Sequence, residues 1–224
     1  MYLKSINTIK DKKIICIFAH PDDEAFGPAG TILKLAKNND IQIICVTDGK
    51  SPGTRIKNLA ETRKGEFEKS CQTLGVTKTH HLNYKDGEVC NANYHEIAEN
   101  IEKIFDTEEP DILITFDPKG LTGHLDHIGI CMITTFVFKK RPEIKNLLYY
   151  CGSKHFSDLI PSYFVYLPKG YKRNEVDHVV DVSDVWEEKT NAIKCHISQK
   201  GDIERYLSLC QILPKEEYFL EFNR

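Results

Sequence analysis

Near the start of the chain, Ala19-His20-Pro21-Asp22-Asp23-Glu24 gathers one imidazole and three carboxylates directly after an apolar run. His20 and Asp23 stand three apart, so both can converge from one turn on a single cation, and Pro21 stiffens that turn. Asp22, between them, cannot easily point the same way and is left to work on a water. Acidic residues are ordinary at a helix start, where the dipole favours them. That accounts for one or two carboxylates. It does not account for a histidine and three acids whose mutual repulsion asks for a cation.

A second cluster runs from Asp117 to His127 as DPKGLTGHLDH. Its glycine-rich loop leads into a helix that opens with His124 and His127, neighbours on one face at i and i+3. Alone, this pair reads equally well as one surface histidine, with Asp126 as a simple cap. Together the clusters supply two or three neutral or anionic ligands and leave a coordination position for water. An open position of that kind separates a catalytic metal site from a closed structural one.

The elements that must position these residues are legible around them. Residues 14–18 (IICIF), 41–47 (IQIICVT) and 112–116 (ILITF) are short, β-branched and non-alternating, as strands covered on both faces are. Helical patterns at 29–37, 56–74, 94–105 and 126–140 alternate with them. The expected fold is a doubly wound α/β domain with a mostly parallel sheet and helices on both faces. Further on, 147–151, 163–167 and 178–182 read as strands and 184–195 as a helix. With no internal repeat or low-complexity linker, residues 1–224 read as one domain. In such a sheet ligands bind beyond the carboxyl ends of the strands, where both clusters fall.

Composition narrows the class. The chain has 224 residues, 41% hydrophobic and 28% charged, an ordinary globular balance. A formal charge of −3 gives no footprint for nucleic acid. No apolar run approaches the ~20 residues of a membrane span, and the polar, basic opening MYLKSINTIKDKK does not resemble a signal peptide. A cytoplasmic protein is expected. The eight cysteines form no CxxC pair and read as reduced core residues.

AHPDDE, Thr47-Asp48-Gly49, GHLDH, Asp181-Val182-Ser183 followed by Lys189, and His196-Ile197-Ser198-Gln199 together resemble the PIG-L/LmbE-like zinc deacetylase family, in the family's order. The resemblance implies a Rossmann-like fold and metal-dependent hydrolysis of the amide of an N-acetylated or N-acylated amino sugar, such as an N-acetylglucosamine derivative. It makes His20, Asp23 and His127 the zinc ligands, Asp22 the general base, and His124 a catalytic histidine that meets the oxyanion in its protonated form. Zn2+ is the implied cofactor, although His and Asp ligands suit other divalent ions too. Arg63 and Glu66 match a family Arg-x-x-Glu pattern near the site; an exposed helix face is the alternative.

The remaining candidates carry less. His80 and His81 read as surface or strand-capping residues, and His95, His155 and His178 as structural. His196 fits the family pattern with packing, subunit contact or catalysis all open. Asp48-Gly49 lies at the end of the sheet where it could touch a sugar, whereas Asp86-Gly87 reads as a turn. Trp186 and the terminal FLEFNR offer apolar surface for contacts between copies. Residues 51–55, 119–123 and 151–162 carry no decisive substrate signature. Two rival functions remain: a zinc amidase acting on a thiol conjugate or an antibiotic, and a non-hydrolytic Rossmann-type binding protein. The second requires a phosphate-cradling loop after the first strand, where this chain has His-Pro-Asp-Asp-Glu instead.

Overall fold

The computed structural model describes residues 5–50, 57–160 and 165–222. Its strands are β1 (Lys13–Phe18), β2 (Asp40–Thr47), β3 (Lys78–Tyr84), β4 (Ile112–Phe116), β5 (Asn146–Cys151), β6 (His178–Asp181) and β7 (Glu216–Phe222). Its helices are α1 (Asp23–Phe26), α2 (Ala29–Ala36), α3 (Leu59–Leu74), α4 (Tyr94–Glu108), α5 (Gly120–Gly123), α6 (Leu125–Lys140), α7 (Lys154–Leu159), α8 (Trp186–Lys194) and α9 (Lys200–Leu209). The strands form one sheet in the order β3-β2-β1-β4-β5-β7-β6. Neighbours from β3 to β5 pair in parallel, and β7 pairs antiparallel with both β5 and β6. This is the mostly parallel α/β sheet that the apolar runs imply.

Period-two alternation divides β1 between two cores. Ile14, Cys16 and Phe18 pack with Ala29, Ile32 and Leu35 of α2, Phe67 and Leu74 of α3, and Ile193 of α8. Ile15 and Ile17 pack on the other face with Ile97 and Ile101 of α4 and Ile130 and Val137 of α6. Burial on both faces is why these strands are continuously apolar rather than alternating. The chain leaves β1 for β2 on one side, and β4 later joins β1 on the other. A crevice therefore opens between the carboxyl ends of β1 and β4, and both polar clusters flank it.

Several elements differ from the sequence reading. Residues 165–167 are not a strand: Val165 and Tyr166 are exposed and have no sheet neighbour, and Tyr163 lies outside the described residues. FLEF of the C-terminal segment is a sheet strand, half-buried at Leu220 and Phe222. It belongs to β7, between β5 and β6, with Phe219 fully buried; Asn223 and Arg224 lie outside the described residues. Trp186 packs partly buried against the core. His80 and His81 lie within the edge strand β3, where their Nε2 atoms meet Gln42 (2.8 Å) and Glu68 (2.6 Å). His178 pairs with Glu221 at 3.1 Å. Cys16, Cys45, Cys71, Cys131 and Cys151 are buried and unbridged, while Cys90 is exposed. Among the described residues no helix is long and apolar enough to cross a membrane.

One buried ion pair ties the antiparallel edge to the helices behind the crevice. Lys189 of α8 meets Glu217 of β7 at 2.7 Å, with each side chain 2% exposed. Lys189 also donates to the Gly27 carbonyl at 2.8 Å, and Glu217 accepts the N–H groups of Gly30 (2.9 Å) and Thr31 (2.7 Å). Every charge there is answered, so removing one partner strands the other. Lys189→Met is expected to lower the unfolding free energy by about 3–5 kcal/mol, read from urea denaturation. A loss below ~1 kcal/mol would show that the pair does not hold in solution.

Candidate active site

The turn after β1 is built before any metal is considered. Thr47, at the end of β2, donates both its N–H and its hydroxyl to the Ala19 carbonyl at 2.8 Å. Asp23 Oδ2 accepts the N–H of His20 at 2.7 Å and closes the turn. Between them Asp22 sits at φ 136°, a conformation that costs a non-glycine residue free energy and collects at functional sites. Arg63 of α3, 4% exposed, braces the turn by donating to Pro21 O (2.6 Å), Gly49 O (2.5 Å) and Asp22 Oδ2 (2.7 Å). Gly49 makes this approach possible. At φ +64°, a Cβ there would lie 2.7 Å from Pro21 Cδ and 2.9 Å from Arg63 Cζ.

The turn after β4 is held by Asp117, which accepts the Leu121 N–H at 3.0 Å. Gly120, at φ +66°, faces its carbonyl to His127 Nδ1 at 3.1 Å. The Phe116 ring stacks on His127 with centroids 4.1 Å apart. His124 caps α6, its Nδ1 accepting the Asp126 N–H at 3.1 Å. Asp126 is therefore more than a cap. It accepts N–H groups from Gly87 (2.8 Å) and Val89 (3.1 Å) and places Oδ2 3.2 Å from His20 Nε2.

These contacts fix both tautomers. His20 Nε2 faces two carboxylates, Asp86 (3.1 Å) and Asp126 (3.2 Å), so it carries a proton. His127 Nδ1, against a carbonyl, carries one as well. Each ring then turns its other nitrogen toward the other ring, with His20 Nδ1 and His127 Nε2 3.1 Å apart. Asp23 completes the set, 3.2 Å from His127 Nε2 and 3.6 Å from His20 Nδ1. Three donor atoms this close must share a positive charge, either a proton on His20 Nδ1 or a bound cation. Their spacing suits the ~3.3 Å edge of a tetrahedron with bonds of ~2.0–2.1 Å, so His20, Asp23 and His127 fit a divalent ion.

The electrostatics agree. Burial opposes a charge on His20, yet Asp126, Asp23 and Asp86 outweigh it and raise its pKa well above the usual range. Burial alone would raise Asp23, but His127 and His20 hold it well below the carboxylate range. The pocket draws positive charge to this point.

Asp22 and His124 flank the trio, and both line a cleft of about 330 Å³. Burial pushes the Asp22 carboxyl up to about 6, with Arg63 pulling the other way. Burial, then the His20 and His127 rings, push His124 down to about 4. This differs from the protonated His124 expected from sequence. An imidazolium would also set an N–H against the Asp126 N–H that its Nδ1 accepts. Arg63 and Glu66 (7% exposed) are buried, which removes the exposed-face alternative. Asp48 bonds the N–H of Lys50 (2.9 Å) and that of Asp86 (3.4 Å), so it shapes the loop that carries Asp86.

Sequence reasoning missed Asp86, Glu24 and the cleft's far wall. Asp86 does sit in a turn, but its carboxylate is aimed at His20. The wall comes from α7 and α9, through Phe156, Asp202, Arg205 and Tyr206.

Comparison with known proteins supports the same reading. Residues 15–137 match the family described as PIG-L: GlcNAc-PI de-N-acetylase. The chain is 32% identical to the diacetylchitobiose deacetylase of Thermococcus kodakarensis, over 84% of this chain and 70% of that one. It is 26% identical to a probable N-acetyl-alpha-D-glucosaminyl L-malate deacetylase 2 of Bacillus subtilis, covering 87% and 86%. Among solved structures, the N,N'-diacetylchitobiose deacetylase of Pyrococcus horikoshii superposes with a TM-score of 0.73 at 27% identity, covering 94% of this chain and 84% of that one.

If the carboxylates behind His20 set its tautomer, Asp126→Asn should weaken divalent-metal binding about 10–100-fold. Competition against a chromophoric chelator measures this; unchanged affinity would remove Asp126 from the site's support.

Proposed function

The chain belongs to the PIG-L family of de-N-acetylases, and on that premise we propose that it hydrolyses the acetamide of an N-acetylated amino sugar, releasing acetate and the free amine. The observation that carries the proposal is the convergence of His20 Nδ1, His127 Nε2 and Asp23 within 3.1–3.6 Å. His20, Asp23 and His127 would hold a divalent ion, zinc or another that such ligands suit, and it would lower the pKa of water and polarise an acyl oxygen.

The chain's own residues supply the remaining steps. Arg63 occupies Asp22 Oδ2 at 2.7 Å, so Oδ1 is the oxygen left to take a proton from the attacking water. With a carboxyl raised to about 6, Asp22 is ionised at neutral pH and still basic enough to accept that proton. His124, with Nδ1 engaged by the Asp126 N–H, carries its proton on Nε2 and donates it as a hydrogen bond to the developing oxyanion. A neutral ring in this role has no second proton to give. The proton collected by Asp22 is therefore the one delivered to the leaving amine.

The cleft supports a sugar-sized substrate. Phe26, Leu121, Phe156 and Tyr206 offer apolar surface for a ring face, and Gln199, Asp202 and Arg205 offer polar groups for hydroxyls.

Acetate release from N-acetylglucosamine, diacetylchitobiose and N-acetylglucosaminyl glycosides, with metal-loaded and chelator-stripped protein side by side, tests this reading. Release should require metal. Asp22→Asn should keep the metal and lose about 10²–10⁴ in kcat. A variant that turns over at the wild-type rate would take the base away from Asp22.

A further inference from the structure

Glu24 is fully buried and bonded through both oxygens. Oε2 accepts the N–H of Asp22 at 3.0 Å, and Oε1 meets His196 Nε2 at 2.8 Å. His196, also fully buried, comes from the turn between α8 and α9, 172 residues away in sequence. Its Nδ1 has no hydrogen-bond partner among the described residues, so its polar commitment is to Glu24. A buried carboxylate–imidazole pair is costly to assemble. This one is spent on a single peptide N–H, that of the residue held at φ 136°.

The same turn reaches Asp22 by a second route. Ser198 donates its N–H (2.8 Å) and hydroxyl (2.6 Å) to Glu66. Glu66 lies one helical turn beyond Arg63, whose guanidinium holds the Asp22 carboxylate. Residues 196–199 thus grip both ends of Asp22, the backbone through Glu24 and the side chain through α3.

We propose that His196 and Glu24 are positioning residues for the reaction: the buried pair clamps the Asp22 peptide in its left-handed conformation and so aims the carboxylate at the attacking water. The inference rests on the reading of Asp22 as base. It assigns His196 neither to the metal nor to subunit packing.

The test compares Glu24→Ala, Glu24→Gln, His196→Ala and the double alanine variant, with every rate expressed per bound metal. Glu24→Ala should lower kcat about 100-fold, the scale of a misplaced catalytic group, while KM and one metal per chain are retained. Glu24→Gln should recover most of that loss, because an amide oxygen still accepts the Asp22 N–H. His196→Ala should cost about 10-fold, and the double variant should be no slower than Glu24→Ala, since both act along one line. Wild-type kcat in folded Glu24→Ala would overturn the proposal, as would Glu24→Gln falling as far as alanine. Where Glu24→Ala does not fold, His196→Ala at wild-type kcat overturns it. Should the wild-type chain release no acetate, the deacetylase reading fails instead. Amide-proton exchange at Asp22, which needs no turnover, then decides: faster exchange on losing Glu24 or His196 supports the clamp, and an unchanged rate rejects it.

Discussion

Two imidazoles that turn nitrogens on each other at 3.1 Å, with a carboxylate 3.2 Å from one of them, form an arrangement that needs a positive charge at its centre, a proton or a metal ion. Each ring is held there by what lies behind it: Asp86 and Asp126 behind His20, the Gly120 carbonyl behind His127. Those supports have supports of their own. Asp126 is anchored by two backbone N–H groups, and Gly120 takes the left-handed conformation that turns its carbonyl inward. The donors at the centre are therefore held together by favourable bonds at the periphery, and the sheet's switch point is where that periphery can be assembled from two adjacent strand ends. A divalent ion that displaced the shared proton would bind without any donor having to move far.

The same logic governs Asp22. Its backbone is strained, and strain persists only when neighbours over-determine it. Arg63 bonds two carbonyls and the carboxylate around that turn, while Glu24 bonds its N–H. Asp22 and Asp23 are adjacent in sequence yet serve different tasks. The φ of 136° at Asp22 directs its carboxylate to Arg63 and the cleft, while the Asp23 carboxylate turns to the two rings. Divergent neighbours explain how a short motif can supply both a ligand and a base.

Legibility in the sequence followed burial and locality. β1, β2 and β4 are apolar on both faces, so their runs announced themselves; β3, as KTHHLNY at the sheet edge, has no such signal. β7, EEYFLEF, mixes Glu with apolar residues without alternation and its end read as surface, because only the antiparallel pairing to β5 and β6 reveals that it is covered. In the site, His20, Asp23, His124 and His127 stood out because each motif is local. Asp86 did not, and His196 stood out only through the resemblance with its role open, since each acts through a partner 66 or more positions away, a separation that spacing rules cannot cross. The lowered pKa of His124 has a similar origin: burial and the His20 and His127 rings act on it only once the fold brings them together.

The centre and the cleft wall differ in how firmly the fold holds them. The ligands and base sit on turns that leave strands with no solvent exposure, and His20, Asp23 and His127 are themselves buried. The wall opposite comes from α7 and α9, neither of which has a fully buried residue. Elements with little buried surface open and repack at low free-energy cost, whereas a shift in a buried turn would disturb several hydrogen bonds at once. Reaction chemistry and substrate choice are thus carried by parts of the chain with unequal rigidity. Substitutions on α9 can reshape what the cleft accepts while leaving the donor spacing intact. The two meet at the turn 196–199, which leads into α9 and holds Glu24 and Glu66. They meet again at Tyr206 of α9, whose ring packs edge-on against Phe26 of α1 with centroids 5.3 Å apart. A change in the wall therefore reaches the base through these two contacts.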